Sequence, residues 1–251
     1  MAAVDLVRRV TRRFGVDVVR YRPVPPDFAP DEAALVRSVR GFTMTSPERL
    51  LGLVHAVRWL VGEQVGGAFV ECGVWRGGSM MAVARTLLAA GVTDRELYLF
   101  DTFEGMTAPT AADADFRGRL AQATFRRTRR GPNSSDWCRA ALPEVRANLA
   151  GTGYPADRLH FVPGPVEETV PGAAPERIAL LRLDTDWYES TRHELVHLWP
   201  RLVPGGVCIL DDYGYWAGSR KAVDEFLAEH GIRVLMHRLD QTGRLIVNHS
   251  H

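Results

Sequence analysis

From Ala68 onward, short apolar runs alternate with stretches whose apolar residues recur at helical spacing. Ala68-Phe69-Val70-Glu71-Cys72 opens the series as the kind of strand a buried parallel sheet needs. A helix is predicted over 77–88, a second strand over 96–101, a third over 159–162, a fourth from Ile178 to a close at Asp184, and a fifth over 207–210. Further helices are predicted over about 136–149, over 188–199 with Pro200 as the stop, and over 219–228. The last part reads differently. Residues 233–237 and 244–247 flank the turn Asp240-Gln241-Thr242-Gly243, as in an antiparallel hairpin at a sheet edge. Strands that alternate with helices imply an α/β, doubly wound, Rossmann-like sheet of five parallel strands plus a terminal hairpin.

The stretch before Gly66 lacks this alternation. Residues 5–14 form a short basic amphipathic pattern. Tyr21-Arg22-Pro23-Val24-Pro25-Pro26 reads as an extended arm, and 31–40 as a helix. Ser46 is a good helix N-cap, Pro47 suits the first helical position, and Leu50, Leu51, Val54, Val57 and Leu60 give an apolar stripe to about Val61. We therefore expect an N-terminal arm and helical cap over 1–66, bearing on the acceptor site and on dimer contacts, and a main domain over 67–251.

Composition narrows the partners. The 251 residues are 46% hydrophobic and 24% charged with a net charge of +1, so no global field draws the chain to nucleic acid or to an anionic membrane. The three cysteines form no CxxC pair, which points to a reducing cytoplasm. No run approaches membrane-spanning length, and residues 1–20 hold no signal-peptide core.

The chemistry gathers at the predicted strand ends. Asp184 and Asp186 close the fourth strand, and Asp211-Asp212 close the fifth. Such carboxylates can be helix caps or solvated loop residues. Several converging on one rim would repel each other without a cation among them, and oxygen-only ligands suit a hard ion such as Mg²⁺. Glu71-Cys72-Gly73-Val74-Trp75-Arg76-Gly77-Gly78-Ser79 follows the first strand and opens a helix. There Gly73 permits a sharp turn, and Gly77 and Gly78 permit close approach of a ligand. Asp101 ends the second strand, where a ribose-binding carboxylate is expected, and Glu71 could pair with an ammonium. No second glycine-rich loop serves a pyrophosphate, so a nucleoside cofactor without phosphates fits better than NAD.

These pieces resemble the macrocin O-methyltransferase family of sugar methyltransferases. The resemblance is carried by Thr43-Met44, Glu71 to Gly78, Asp101-Thr102-Phe103-Glu104-Gly105, Arg182 to Tyr188, Pro204-Gly205-Gly206 and Asp211-Asp212-Tyr213-Gly214. It implies the methyltransferase variant of the doubly wound fold, S-adenosylmethionine as donor, Mg²⁺ as metal, and a glycosylated small molecule as acceptor. By position, it makes Asp184, Asp211 and Asp212 the metal ligands and Asp186 the general base. Thr43, Met44, Glu71, Gly73, Trp75, Ser79, Asp101 and Thr102 would line the donor site. A homodimer is expected through the N-terminal arm. The alternatives are a catechol-type methyltransferase and a non-catalytic nucleoside-binding protein.

Three features stand apart. His193-Glu194-Leu195-Val196-His197 matches the zinc-hydrolase spacing H-E-x-x-H, but on a crossover helix without an evident third ligand; a chance match is the better reading. Arg126-Arg127-Thr128-Arg129-Arg130 reads as a solvated loop, with a lid that recognises an anion as the alternative. Tyr213, Tyr215 and Trp216 either pack or stack on a sugar face.

Overall fold

A computed structural model of the chain describes residues 2–16 and 24–249. Its main sheet holds β1 (Ala68–Cys72), β2 (Leu97–Asp101), β3 (Leu159–Pro163), β4 (Ile178–Leu183), β5 (Leu202–Leu210), β6 (His237–Arg238) and β7 (Arg244–Val247). Their order across the sheet is β3-β2-β1-β4-β5-β7-β6. The first five are mutually parallel, while β7 runs antiparallel to β5 and pairs with β6. All residues of β1 and β4 are buried; their composition is apolar except for Glu71 and Arg182.

Helices α1 (Ala2–Arg12), α2 (Pro30–Val39) and α3 (Pro47–Gly62) precede the sheet, and α4 (Gly78–Ala89) follows β1. Beyond β2 come α5 (Gln122–Thr128), α6 (Leu142–Ala150), α7 (Val166–Thr169), α8 (Tyr188–Leu198) and α9 (Ala217–Glu229). Residues 17–23, among them Tyr21, Arg22 and Pro23 of the expected arm, lie outside the described residues.

Successive strand side chains face opposite sides, so each strand feeds two cores. Phe69, Leu97, Leu99 and Leu180 meet Val39, Leu50, Leu53, Val57 and Leu60 of the cap and Met80 and Leu87 of α4. Val70, Phe100, Leu181 and Leu210 meet Leu195 and Leu198 of α8 and Val223 and Phe226 of α9. Each such fully buried side chain contributes roughly 1.5–3 kcal/mol. The cap therefore shares one core with the sheet. Its seat on α4 is close: the Gly78 N–H donates to Phe42 C=O at 2.9 Å, and a β-carbon at Gly78 would lie 2.6 Å from that carbonyl.

Several boundaries differ from the sequence expectation. The helix expected from 136 begins at Leu142, because Cys138 takes a left-handed φ of 52° and Trp137 packs with Trp187 and Trp216. The fifth strand starts at Leu202 rather than 207, and the hairpin's first strand shrinks to His237–Arg238. In α3 the buried stripe includes Leu53 and leaves Leu51 only half-buried. The segment 102–134 is folded onto the domain: Asp113 is fully buried and accepts the Tyr188 N–H at 2.8 Å, capping α8. The arginine run forms the last turn of α5 and a short strand, Arg129–Gly131.

Ser46 caps α3 by accepting the Arg49 N–H at 3.1 Å, and its hydroxyl donates to Asp240 at 2.6 Å. Ser46→Ala should therefore cost about 1 kcal/mol of stability, read as a lower midpoint in urea unfolding. An unchanged midpoint would show that neither bond holds the cap.

Candidate active site

In an open parallel sheet, ligands bind beyond the carboxyl ends of the strands. The ends of β1, β2, β4 and β5 border a cavity of about 430 Å³. Seven of the expected donor residues line it: Thr43, Met44, Gly73, Trp75, Ser79, Asp101 and Thr102. Gly73 carries φ 82°, and a β-carbon there would lie 1.9 Å from Asp184 C=O, so only glycine lets the two strand ends meet. Asp101 does more than face the cavity. Its Oδ2 accepts the N–H groups of Val74 (2.7 Å) and Trp75 (3.0 Å), and its Oδ1 that of Phe103 (2.6 Å). One carboxylate thus fixes the glycine turn. Burial raises its pKa, and these three donors oppose the shift.

Two expected donor residues lie elsewhere. Glu71 turns to Arg182, its register partner on β4, and is not part of the cavity wall. That pairing replaces the ammonium contact expected from the sequence. Gly77, with φ 87°, packs under Leu149 and Val145 of α6 as the N-cap of α4.

Arg182 is the centre of the acidic rim. Its guanidinium meets Glu71, Asp184 at 2.7 Å, Asp211 at 2.5 Å and the Thr45 hydroxyl at 2.9 Å. Arg49 of the cap joins it, pairing with Asp211 and with Asp240 at 2.9 Å. Both arginines went unassigned in the sequence reading. The available signal was a charged residue inside the apolar run of β4.

The four rim carboxylates divide. Oxygens of Asp184, Asp186 and Asp212 lie within 4.8 Å of one another, whereas Asp211 faces the two guanidiniums. Asp184 and Asp186 do not meet as alternate residues of a continuing strand. β4 ends at Leu183, and Asp186 takes φ 69° in a turn closed by the Trp187 N–H to Thr185 C=O at 2.8 Å. Burial pushes Asp186 up to about 7, and burial with the neighbouring carboxylates raises Asp184 and Asp212 well above the usual carboxylate range.

Aromatic residues close the other side. Trp187 and Trp216 pack edge to face at 5.0 Å, Trp137 packs against both, and Tyr215, Trp216 and Trp137 line the cavity. Tyr213 instead donates its hydroxyl to Asp224 at 2.7 Å. Among the H-E-x-x-H residues, His193 bonds to Val170 C=O at 2.8 Å, and Glu194 is buried against the sheet.

Residues 31–246 match the family model for macrocin O-methyltransferase. The chain belongs to the macrocin O-methyltransferase family. It is 38% identical over 80% of its length, and 73% of the relative's, to 8-demethyl-8-(2,3-dimethoxy-alpha-L-rhamnosyl)-tetracenomycin-C 4'-O-methyltransferase of Streptomyces olivaceus. It is 34% identical to mycinamicin III 3''-O-methyltransferase of Micromonospora griseorubida, with 84% of each chain covered. The solved structure of the O-methyltransferase NovP superposes with a TM-score of 0.73 at 29% identity, covering 83% of each chain. The expected fold and family are thereby established, and this macrocin O-methyltransferase homologue is an O-methyltransferase.

The acidic triad has a consequence for stability. Below about pH 4 a typical Asp carries its proton in both folded and unfolded chains. As pH rises through about 7, the folded chain must ionise Asp186 beside Asp184 and Asp212, and stability is lost. A divalent cation would relieve that repulsion only where the triad is ionised. Mg²⁺ should therefore raise the melting temperature more at pH 8 than at pH 5. An equal shift at both pH values would exclude the triad as its site.

Proposed function

We propose that this O-methyltransferase transfers the methyl group of S-adenosylmethionine to a sugar hydroxyl of a glycosylated natural product, with Mg²⁺ at the acidic triad. The observation that carries the reading is the charge imbalance at the strand ends. Six carboxylates (Glu71, Asp184, Asp186, Asp211, Asp212, Asp240) face two guanidiniums (Arg49, Arg182), so full ionisation leaves four negative charges. A hard divalent ion and a positively charged donor both suit such a site. Buried Asp212 Oδ2 has no hydrogen-bond partner among the described residues, which fits a carboxylate awaiting a cation.

Asp184 and Asp212 would hold the ion, with Asp186 beside them as the base. Asp211, expected as a third ligand, keeps both oxygens against guanidiniums and would join only as Arg49 or Arg182 lets go. Bound Mg²⁺ supplies charge that lowers the proton affinity of a nearby hydroxyl. S-adenosylmethionine supplies a methyl group on a positive sulfur, whose departure needs no acid. The residues of this chain do the rest. Asp186 takes the hydroxyl proton as oxygen gains the methyl group. Gly73, Trp75, Asp101 and Thr102 position the donor, and Trp137, Tyr215 and Trp216 offer apolar faces to the sugar while displacing water. The cap contributes Thr43, Met44, Thr45 and Arg49 to the wall, which supports a part for residues 1–66 in the acceptor site. Exposed Val7, Val10 and Phe14 support the expected homodimer, and three unpaired thiols support a reducing cytoplasm.

Of the relatives named above, one is named for a rhamnosyl-tetracenomycin and one for mycinamicin III, which sets the test. Labelled S-adenosylmethionine should transfer its methyl group to a deoxysugar glycoside in a panel that also holds nucleotide sugars and catechols. Transfer should stop in EDTA and return with Mg²⁺. Transfer to catechols alone, or undiminished transfer in EDTA, would overturn the reading.

A further inference from the structure

The left-handed turn at Asp186 has an anchor on the far side of the sheet. Asp186 is the centre of a three-residue turn, closed by the Trp187 N–H to Thr185 C=O bond, with φ 69°. A tight turn of this hand is strained for any residue other than glycine. The chain on either side is pinned: the Asp184 N–H donates to Cys72 C=O at 2.9 Å, and the Tyr188 N–H to Asp113 at 2.8 Å. The side chain of Thr185 is pinned as well. Its hydroxyl donates to Glu194 Oε1 at 3.0 Å, and the Ser190 hydroxyl reaches Thr185 C=O at 3.3 Å.

Glu194 is an unusual residue for that place. It lies on α8, is 0% exposed, and has no arginine, lysine or histidine partner among the described residues. Its second oxygen, Oε2, has no hydrogen-bond partner there either, and its neighbours on the sheet are Cys72 and Cys208. A buried carboxyl without a cation is costly and is retained only against some gain. Burial holds its pKa well above the usual carboxylate range, and glutamine, which keeps an accepting oxygen in the same place, is its near isostere.

We propose that Glu194 and Thr185 are positioning residues: the Glu194–Thr185 hydrogen bond holds the strained turn that aims Asp186 at the acceptor hydroxyl. The proposal rests on the reading of Asp186 as the base. Glu194 reaches no reacting atom and acts through the backbone of residues 184–187. Without the bond, the turn relaxes toward ordinary backbone angles and the carboxylate of Asp186 leaves its line to the acceptor. The expected donor residues, at the ends of β1 and β2, on α4 and in the cap, lie outside residues 184–187.

Steady-state kinetics on Thr185→Val, Thr185→Ser, Glu194→Leu and Glu194→Gln, beside Asp186→Asn, test this. Thr185→Val removes the donor hydroxyl at constant shape and should lower kcat roughly 10²-fold, the scale of a misplacement of about 1 Å. Its KM for the donor and its calorimetric affinity for S-adenosylhomocysteine should not move. Thr185→Ser and Glu194→Gln, which keep the bond, should recover kcat relative to Thr185→Val and Glu194→Leu. If Glu194→Leu does not fold, the Thr185 pair still decides. Normal kcat in folded Thr185→Val, or loss in Glu194→Gln as deep as in Thr185→Val, overturns the proposal. If Asp186→Asn itself keeps full turnover, the base assignment has failed, an outcome distinct from failure of the anchor alone.

Discussion

A guanidinium buried in an apolar strand is the constraint on which this site depends. Arg182 lies 3% exposed within β4, and a charge placed so deep persists only if it is paired and hydrogen-bonded. Glu71 from β1, Asp184 from the end of β4, Asp211 from the end of β5 and Thr45 from the cap satisfy it together. Removing any one partner leaves part of the buried guanidinium without its hydrogen bond. Arg182 therefore ties three strands and the cap to one point. Arg49 extends the tie through Asp211 and Asp240 to the terminal hairpin. Two cations do not neutralise the carboxylates they gather, and the excess lies on the cavity side, where Asp184, Asp186 and Asp212 meet. Burial of Arg182 and the proposed demand for an incoming cation are two sides of one arrangement.

Strain is stored around the same cavity. Non-glycine residues with left-handed φ include Trp75, Phe103, Cys138 and Asp186; Trp75, Cys138 and Asp186 line the cavity, and Phe103 adjoins Thr102. Such angles cost of order 1–3 kcal/mol each and survive only where the surroundings over-determine them. Here the surroundings are identifiable: Asp101 grips the turn at Trp75 and the Phe103 N–H, while Glu194 and Ser190 grip the turn at Asp186. The rim is thus held by bonds of the chain itself, an arrangement that reduces the reorganisation a reaction needs.

Much of this could be read from residues alone. Buried parallel strands announce themselves by largely apolar runs, and the glycines and acids at their ends mark the ligand edge. Ser46 and Pro47 gave the start of α3 to the residue. What escaped the reading depended on partners distant in sequence. Arg182 and Glu71 become a pair only once β1 and β4 are in register, 111 residues apart. Asp211 differs from its neighbour Asp212 in facing two guanidiniums, those of Arg182 in β4 and Arg49 in the cap. Residues 136–141 carry helical spacing, but packing of Trp137 against Trp187 and Trp216 overrides local preference. The polar segment 102–134 gave no periodic signal because its order comes from single contacts such as Asp113 to the N-terminus of α8.

The proposed mechanism divides labour within one acidic triad: Asp184 serves the cation and Asp186 takes the proton. Steady-state turnover of Asp184→Asn and Asp186→Asn across a Mg²⁺ titration measures it most directly. Asp184→Asn should need more Mg²⁺ and regain part of its rate when given it. Asp186→Asn should stay slower by roughly 10²–10⁴-fold at every Mg²⁺ concentration, the usual worth of a positioned base. Rescue of Asp186→Asn by Mg²⁺ with none for Asp184→Asn would reverse the roles, and full activity in both would contradict the account.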